Sequence, residues 1–301
     1  MRKKIGVRSR FSNGGRCGNR DLTPIFRQSG FTLVELILVI VLIGILGATV
    51  AVFIENPVRA YFDTLRRARL TDAADTVTRR MARELAEALP NSVRVTTSGG
   101  TVFLEFIPVR DLGRYRTMAS ESLEPSGIDP LDFSSGSDNS FDLLGAPVTV
   151  PSAAQMVVFN LGSGSLDAYA GSNRRAVTTP AGSATSLAFT ATGTALPADS
   201  PDHRVYLVNT AVTYACTPGA DGSGTLKRYA DYAIQAAQPD SVNAQPLGDA
   251  TSTLMVDSVN ACNFELGNTL TTLDQVVLRL QLSASGESVT LLNQVQLPNS
   301  P

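Results

Sequence analysis

Residues 30–54 read GFTLVELILVIVLIGILGATVAVFI, and this stretch decides how the N-terminal part of the chain folds. Residues 31–54 contain no Lys, Arg or Asp, and Glu35 is their only charged residue. A helix over this segment is about 36 Å long at ~1.5 Å per residue, which exceeds the ~30 Å hydrocarbon core of a bilayer. The sequence therefore predicts a membrane-spanning helix over residues 31–54.

The segment before this helix is strongly basic. It holds one acidic residue, Asp21, against eight basic residues: Arg2, Lys3, Lys4, Arg8, Arg10, Arg16, Arg20 and Arg27. Basic flanks stay on the cytoplasmic side of the membrane. We therefore expect a single-pass membrane protein with a cytoplasmic N-terminus and an exported C-terminal domain.

Three other interpretations of the apolar run are weaker. A secretory signal peptide has an apolar region of about 7–15 residues that ends in a small-residue cleavage site, and this run is longer. A plain signal anchor has no use for Glu35, because a carboxylate within a spanning helix costs roughly 2.5–3.5 kcal/mol on insertion scales. A buried helix of a soluble protein explains neither the length nor the basic flank.

The stretch QSGFTLVEL, followed by about twenty apolar residues, resembles the prepilin-type signal of type IV prepilins and type II secretion pseudopilins. The resemblance implies that a prepilin peptidase/methyltransferase removes residues 1–30 by cutting after Gly30 and then methylates the new N-terminus at Phe31. It further implies that Glu35, the fifth mature residue, forms an assembly charge pair with Phe31. The implied partners are this enzyme, other major and minor pilins, and inner-membrane lipid.

The charges explain why these residue types are required. Cleavage creates an ammonium group at Phe31 within apolar surroundings, where an unpaired charge is costly and an opposite charge offsets much of that cost. Glu35 supplies the opposite charge. It lies about one turn from its own terminus, and in a stack of parallel helices it can instead meet the amine of a neighbouring subunit, which sets the axial register.

Removal of the leader changes the charge and cysteine content. The totals of 25 basic and 27 acidic residues fall by eight and one, to 17 and 26, which gives a formal charge of −9. This excess of acid argues against nucleic acid as a partner. Cys17 leaves with the leader, whereas Cys216 and Cys262 remain as an even pair in an oxidising compartment. They favour a disulfide, with two buried free thiols as the alternative.

The helical pattern continues over residues 55–89. Apolar residues recur at three- and four-residue steps and predict one buried face: Phe62, Leu65, Ala73, Val77, Met81, Leu85 and Leu89. The opposite face is charged. Proline lacks an amide donor and restricts the preceding residue, so Pro57 is expected to kink the helix and Pro90 to end it.

The sequence predicts one β-rich domain over residues 90–301. We therefore expect an α+β protein with a type IV pilin-like long helix packed on an antiparallel sheet. Alternating patterns indicate hairpins around Gly99–Gly100 and Ser285–Gly286. Further strands are expected at 155–160, 187–190, 204–217, 226–234 and 254–266. Gly-, Ser- and Asp-rich composition indicates loops at 120–145, 161–186 and 236–252.

The β-rich part carries a second resemblance. The phrases LEFIPVRDLGRYR, GTLKRYADY, VNACNFEL and NQVQLPNSP are similar to MshO-like minor pilins of the mannose-sensitive haemagglutinin (MSHA) pilus system, within the J-type pseudopilin and PilW-like group. This resemblance implies a minor pilin that enters or primes a filament. Two alternatives remain: a J-type pseudopilin of a type II secretion system, and a membrane-anchored periplasmic binding or enzymatic domain.

The residues point to no catalytic site, cofactor or metal. His203 is the only histidine, which excludes a two-histidine relay. The serines lie in loops without a nucleophile elbow. The loop residues Asp129, Asp132, Asp138 and Asp142 suggest either a calcium site or a solvated turn, and their spacing does not fit an EF-hand. We expect a protein that acts by assembly and not as an enzyme.

Overall fold

A computed structural model describes residues 30–117, 127–269 and 272–298 of the chain. The predicted leader, except Gly30, lies outside the described residues. The chain divides into two compact units between Val58 and Arg59. One long helix, α1 (Leu33–Ala86), begins in the first unit and ends in the second.

The described part of the first unit, from residue 30 to Val58, is mainly the apolar part of α1. This is the one helix in the described part of the chain that is long and apolar enough to cross a membrane. Its large apolar side chains, among them Leu33, Ile43 and Ile54, are exposed. A helix that is hydrophobic all round requires burial in a membrane or among other helices.

In the second unit, α1 buries a single stripe of side chains. Leu70, Ala74, Val77, Met81 and Leu85 follow each other at three- and four-residue steps and are almost inaccessible to solvent. This confirms the predicted amphipathic face from residue 70 onward. Phe62, which was placed on that face, is 51% exposed, because the packed stripe begins only at Leu70.

The helix ends earlier than Pro90 predicted. The amide of Ala88 already bonds to the carbonyl of Leu85, only three residues back, and the amide of Leu89 donates to the carbonyl of Ile107 at 2.7 Å. The chain therefore leaves the helix at Ala86 because Ile107 and Val109 take over the backbone hydrogen bonds of Leu89 and Glu87. Pro57 lies inside α1.

Fifteen strands follow in the described residues: β1 (Arg94–Ser98), β2 (Thr101–Phe106), β3 (Asp111–Tyr115), β4 (Ser140–Leu144), β5 (Val148–Val150), β6 (Gln155–Val158), β7 (Arg174–Ala176), β8 (Gly182–Ala184), β9 (Ser186–Ala188), β10 (Arg204–Val208), β11 (Ala211–Thr217), β12 (Gly224–Tyr232), β13 (Thr251–Thr269), β14 (Thr272–Ala284) and β15 (Glu287–Gln296). A short 3₁₀ turn at Ala220–Gly222 precedes β12.

These strands form two main antiparallel sheets. The larger has seven strands in the order β1-β2-β11-β12-β13-β14-β15, and the smaller has six in the order β7-β6-β10-β3-β4-β9. Strands β5 and β8 form a separate ribbon. The architecture confirms the predicted α+β class with a long N-terminal helix and antiparallel sheets.

Several loop and strand predictions were wrong in detail. Residues 204–217, predicted as one strand, are β10 in the six-stranded sheet and β11 in the seven-stranded sheet. The chain changes sheets at Asn209, whose side-chain oxygen accepts a hydrogen bond from the Thr210 amide at 2.9 Å. The predicted loops 120–145 and 161–186 contain β4, β7 and β8, which are too short for their period to be read from the sequence.

Among the described residues, three apolar clusters hold the second unit together. The largest joins the buried stripe of α1 to one face of the seven-stranded sheet, including Val276, Leu278, Leu280 and Leu282 on β14. A second cluster, with Phe103, Tyr229 and Tyr232, covers the opposite face of that sheet at its β1 end. A third lies within the six-stranded sheet. The opposite face of the seven-stranded sheet near β15 belongs to none of these clusters.

Candidate functional site: the start of the long helix

The N-terminus of α1 is built by a local cap. The hydroxyl oxygen of Thr32 accepts a hydrogen bond from the Glu35 amide at 3.2 Å, and the Thr32 carbonyl accepts one from the Leu36 amide at 3.1 Å. Thr32 is therefore the N-cap and Glu35 the third helical residue, the Thr-x-x-Glu spacing of a capping box. A carboxylate in the first turn also interacts favourably with the helix dipole.

This cap is a functional feature that our sequence reasoning missed. The sequence TLVE at residues 32–35 already shows the Thr-x-x-Glu spacing of a capping box. The cap fixes the helix start at Leu33, two residues after Phe31, so the predicted new N-terminus lies directly before the N-cap. Cleavage at that point leaves the helix intact, since Gly30 and Phe31 lie outside it.

The predicted junction is exposed on the side that the structure describes. Gly30 is exposed, and among the described residues a Cβ atom added there would have no neighbouring heavy atom within 4 Å. Phe31 is 78% exposed. From residue 30 onward, the described part of the chain therefore does not cover the junction.

Glu35 uses its backbone in the cap and leaves its side chain available. Within the described residues, its carboxylate has no hydrogen bond or ion pair. A charge in an apolar helix is stable only when it is paired or hydrated. The pairing of Glu35 with the amine of Phe31 remains a prediction, because that amine exists only after cleavage.

A second polar site joins α1 to the sheet. Glu84 accepts hydrogen bonds from Arg228 Nε on β12 at 2.8 Å and from Arg80 Nε at 3.1 Å. Burial by itself raises the pKa of the Glu84 carboxyl, but these bonds and the charge of Arg228 outweigh it, so the pKa lies below its ordinary value. This cluster fixes the helix on the seven-stranded sheet.

A charged pair is buried within the domain. Arg94 Nε lies 2.6 Å from Glu105 Oε2, and the side chain of Glu105 is fully buried. Tyr232 donates to Glu105 Oε1 at 3.0 Å, and the guanidinium of Arg94 stacks over the ring of Tyr169 at 3.5 Å. Burial raises the pKa of Glu105 although Arg94 and Tyr232 oppose that rise. Because solvent does not reach Glu105, this cluster is structural and offers no place for a substrate.

The cysteine pair bridges two strands of the same sheet. Cys216 on β11 and Cys262 on β13 form a disulfide across β12, with their Cα atoms 6.5 Å apart. Cys216 belongs to the cluster under α1. The bridge therefore fastens the part of the sheet on which the helix packs.

The only histidine lies in a small surface cluster. His203 Nδ1 is 3.2 Å from Asp199 Oδ1, and Asp199 also accepts the hydroxyl hydrogen of Tyr115. Burial and this carboxylate raise the pKa of Tyr115 far above its ordinary value, so the phenol stays protonated. His203 comes directly before β10.

The aspartates of residues 129–142 accept hydrogen bonds from residues of the same segment. Asp132 accepts from the amide and hydroxyl of Ser134, Asp138 from the amide of Asp132, and Asp142 from the amide of Asp129. These are turn-stabilising bonds. Within the described residues, no group of three or more His, Cys, Asp or Glu side chains is arranged to hold a metal ion.

Comparison with known proteins bears on one region. The family described as the prokaryotic N-terminal methylation motif matches residues 25–51, which contain Gly30, Phe31, Thr32 and Glu35. No curated protein and no solved structure gives a significant match. The motif, together with the apolar helix that carries it, supports a type IV pilin-like protein that is anchored in a membrane. Type IV pilins are structural and not enzymatic proteins. The motif also implies processing by a prepilin peptidase.

Proposed function

We propose that this protein is a minor pilin of a type IV pilus of the MSHA kind. A prepilin peptidase/methyltransferase cuts it after Gly30 and methylates Phe31, and the mature chain then enters a filament or primes its assembly. The observation that carries the proposal is the capped helix start, where Glu35 presents a carboxylate without a partner within the described residues, inside the matched motif.

The physical reason is the charge balance of an apolar helix bundle. After cleavage, each chain brings one ammonium at Phe31 and one carboxylate at Glu35 into surroundings that are otherwise uncharged from residue 31 to residue 54. Parallel stacking that offsets two chains by about one turn brings the amine of one chain to the carboxylate of the next. Filament assembly thus neutralises both charges, and any other register leaves them unpaired.

The proposed division of labour follows the chain. Residues 1–30 are the leader, residues 31–54 span the membrane before assembly and form the filament core afterwards, and residues 55–89 link this segment to the globular part. Residues 90–301 form the periplasmic domain, which provides the specific contacts. The protein thus begins as a single-pass inner-membrane protein and ends in a periplasmic or surface filament. It uses no cofactor and contacts no nucleic acid.

The phrases shared with MshO-like proteins favour a pilus over the J-type pseudopilin of a secretion system. Identification of the pilin subunits that co-purify with the mature chain separates the two. Subunits of a pilus support the proposal, and subunits of a type II secretion complex replace it with the alternative.

Processing provides the direct test of this function. In cells that contain the peptidase, the intact mass should correspond to loss of residues 1–30 and addition of one methyl group. Gly30→Val should block the cut because the peptidase must approach the backbone, whereas a Cβ atom at position 30 has no heavy atom of the described residues within 4 Å. The matched control is Gly47→Ala, which also has no neighbouring atom within 4 Å of the new Cβ and should be cut normally.

Other processing results would contradict the proposal or the assigned junction. A chain that retains its leader in competent cells, or one cut after Ala48 or Ala51, contradicts the proposal. Normal cleavage of Gly30→Val contradicts the assignment of the junction.

A further inference from the structure

The outermost strand of the seven-stranded sheet has one unused side. Strand β15 pairs with β14 at ten consecutive positions, from Ala284↔Glu287 to Gln275↔Gln296, without a register shift. Within the described residues, no strand pairs with its other side. This leaves a straight edge of about 33 Å at ~3.3 Å per residue.

The turn determines which backbone groups this edge presents. Ser285 and Gly286 both have positive φ values, 52° and 85°, so they form the two-residue turn of a tight hairpin. The flanking pair Ala284 and Glu287 is then hydrogen-bonded, and the bonded and non-bonded pairs alternate from there. The N–H and C=O groups that point away from β14 belong to Ser288, Thr290, Leu292, Gln294 and Gln296.

As far as the structure describes the chain, this edge lacks the features that protect free strands. Edge strands are usually kept from pairing by Lys, Pro, bulges, short length or a covering segment. The sequence ESVTLLNQVQ contains neither Lys nor Pro, and its register has no bulge. Leu292, the middle of the five outward-pointing residues, is 65% exposed.

The opposite edge of the same sheet, β1, is covered. Gln238 donates its side-chain amide to the carbonyl of Arg94 at 3.2 Å, and Arg94 donates to the carbonyls of Gln235 and Ala236 at 2.9 and 2.8 Å. The segment after β12 thus lies along the start of β1. The chain protects one edge of the sheet and leaves the longer one open.

A groove runs beside the open edge. It has a volume of about 540 Å³ and is lined by Asp75, Thr76, Arg79, Ala82 and Arg83 of α1 and by Asn293 of β15. Two polar contacts join the helix and the strand: Arg67 pairs with Glu287, and Asn293 donates to the carbonyl of Thr78 at 3.5 Å. Helix and strand therefore run in the same direction on either side of the groove.

The groove carries an unused positive charge. Arg79 pairs with Asp75 at 2.7 Å. Arg83 is exposed, and among the described residues it has no ion pair. A strand added to β15 would therefore meet a guanidinium on its helix side and the apolar side chain of Leu292 on its outer side.

We propose that β15 accepts an extended strand from a different pilin-type subunit, with a carboxylate toward Arg83 and an apolar residue beside Leu292. Main-chain hydrogen bonds to a sheet edge supply affinity, and alternate side chains supply specificity. The identity of the partner class rests on the proposed function.

Two arrangements of a second copy fit less well. Antiparallel pairing of β15 with β15 would make residues 59–86 of the two copies run in opposite directions, whereas subunits of one filament share a direction. Head-to-tail pairing within the seven-stranded sheet would need β1 as the second edge, and Arg94 and Gln238 show that its start is covered. The edge strands of the six-stranded sheet, β7 and β9, offer only three residues each. The open edge therefore fits a strand from another protein.

Photo-crosslinking of the full chain in its native cell tests this pairing. A photoreactive amino acid at position 292 should give an adduct whose second component carries the N-terminal methylation motif. The matched control is position 279 on β14, which pairs directly with Leu292, is also exposed, and lies on a strand already paired on both sides. Position 279 should give little or no adduct.

Two variants and an exchange measurement define the mode of binding. Thr290→Pro removes an amide that β14 does not use, and Leu292→Lys leaves the backbone unchanged but adds a charge. Both should abolish the adduct from a photoreactive residue at position 294 while the chain still begins at Phe31. In the purified complex, amide hydrogen exchange at residues 288, 290, 292, 294 and 296 should slow by about tenfold or more.

Each other outcome overturns the inference. These outcomes are an adduct between two copies of this chain, an adduct with a protein that lacks the motif, equal adducts from positions 292 and 279, unchanged adducts in both variants, or no adduct. A chain that is cut at Phe31 but gives no adduct refutes the added strand alone, whereas a chain that is never cut refutes the proposed function.

Discussion

We propose two roles for Glu35 at the start of α1, and substitutions can separate them. Its amide is held by Thr32 Oγ1 at 3.2 Å, and its carboxylate is available for the Phe31 amine after cleavage. Glu35→Gln removes the charge but keeps a residue suited to the third position of a capping box. Thr32→Ala removes the cap and keeps the charge.

The expected sizes of the two effects differ. Loss of one partner from a buried charge pair costs roughly 3–5 kcal/mol, which corresponds to about two to three and a half orders of magnitude in subunit affinity. Loss of an N-cap hydroxyl costs about 1 kcal/mol, or roughly fivefold. Glu35→Gln should therefore be excluded from filaments, and Thr32→Ala should enter them at moderately reduced frequency.

The assay compares both variants with the unchanged chain in the same cells. Intact mass should show that each variant is inserted and cut after Gly30, since neither step requires the Glu35 charge. Co-precipitation with partner pilins and the number of filaments per cell then report assembly. Glu35→Asp, which keeps the charge on a shorter side chain, should restore part of the loss.

The result that refutes this reasoning is normal incorporation of Glu35→Gln. It would mean that the carboxylate does not meet an ammonium in the assembled state. Equal losses in Thr32→Ala and Glu35→Gln would show instead that the capped helix start, and not the charge, limits assembly.

Two further predictions concern the stability of the second unit. Replacing Cys216 and Cys262 by Ser should lower its free energy of unfolding by about 4 kcal/mol in the chain-entropy estimate for a loop of 46 residues, with processing at Phe31 unchanged; equal unfolding midpoints under reducing and non-reducing conditions would contradict this. Because the folded pKa of Glu84 lies below its ordinary value of 4.5, its contribution is present above that pH and is lost as pH falls through the folded pKa. Thermal unfolding of Glu84→Gln should therefore be less sensitive to pH below about 4.5 than that of the unchanged chain, and identical pH profiles would refute the role of Arg228 in lowering this pKa.

Much of the helical part could be predicted because its determinants are local. The apolar run over residues 31–54 is long enough to span a membrane, and the apolar residues from Leu70 to Leu85 recur at three- and four-residue steps. Both features can be read from neighbouring residues, because the helical period is the same wherever the helix packs. The wrongly placed features needed non-local information. Phe62 fits the apolar period but lies before the packed stripe, and the helix ends at Ala86 because Ile107, far along the chain, accepts the bond from Leu89.

The strands show the same limit more strongly. The alternation in β14 and β15 identified a hairpin and its buried face, since Val276 and Leu278 point the same way in any register that buries them. The division of residues 204–217 between two sheets has no signature in the alternation of those residues. It depends on the pairing of β10 with β3 and β6 and of β11 with β2 and β12, which is a property of the whole topology.

The same distinction separates the two sites proposed for this chain. The start of α1 is specified by adjacent residues, so the short motif matched over residues 25–51 is sufficient to describe it. The open edge at β15 is specified by sheet order, because the strand ESVTLLNQVQ offers a free edge only as the last strand of the sheet and would offer none between two neighbours. In the proposed function, the local motif would place the subunit in a filament, and the edge left open by this particular sheet would select the subunit that lies beside it.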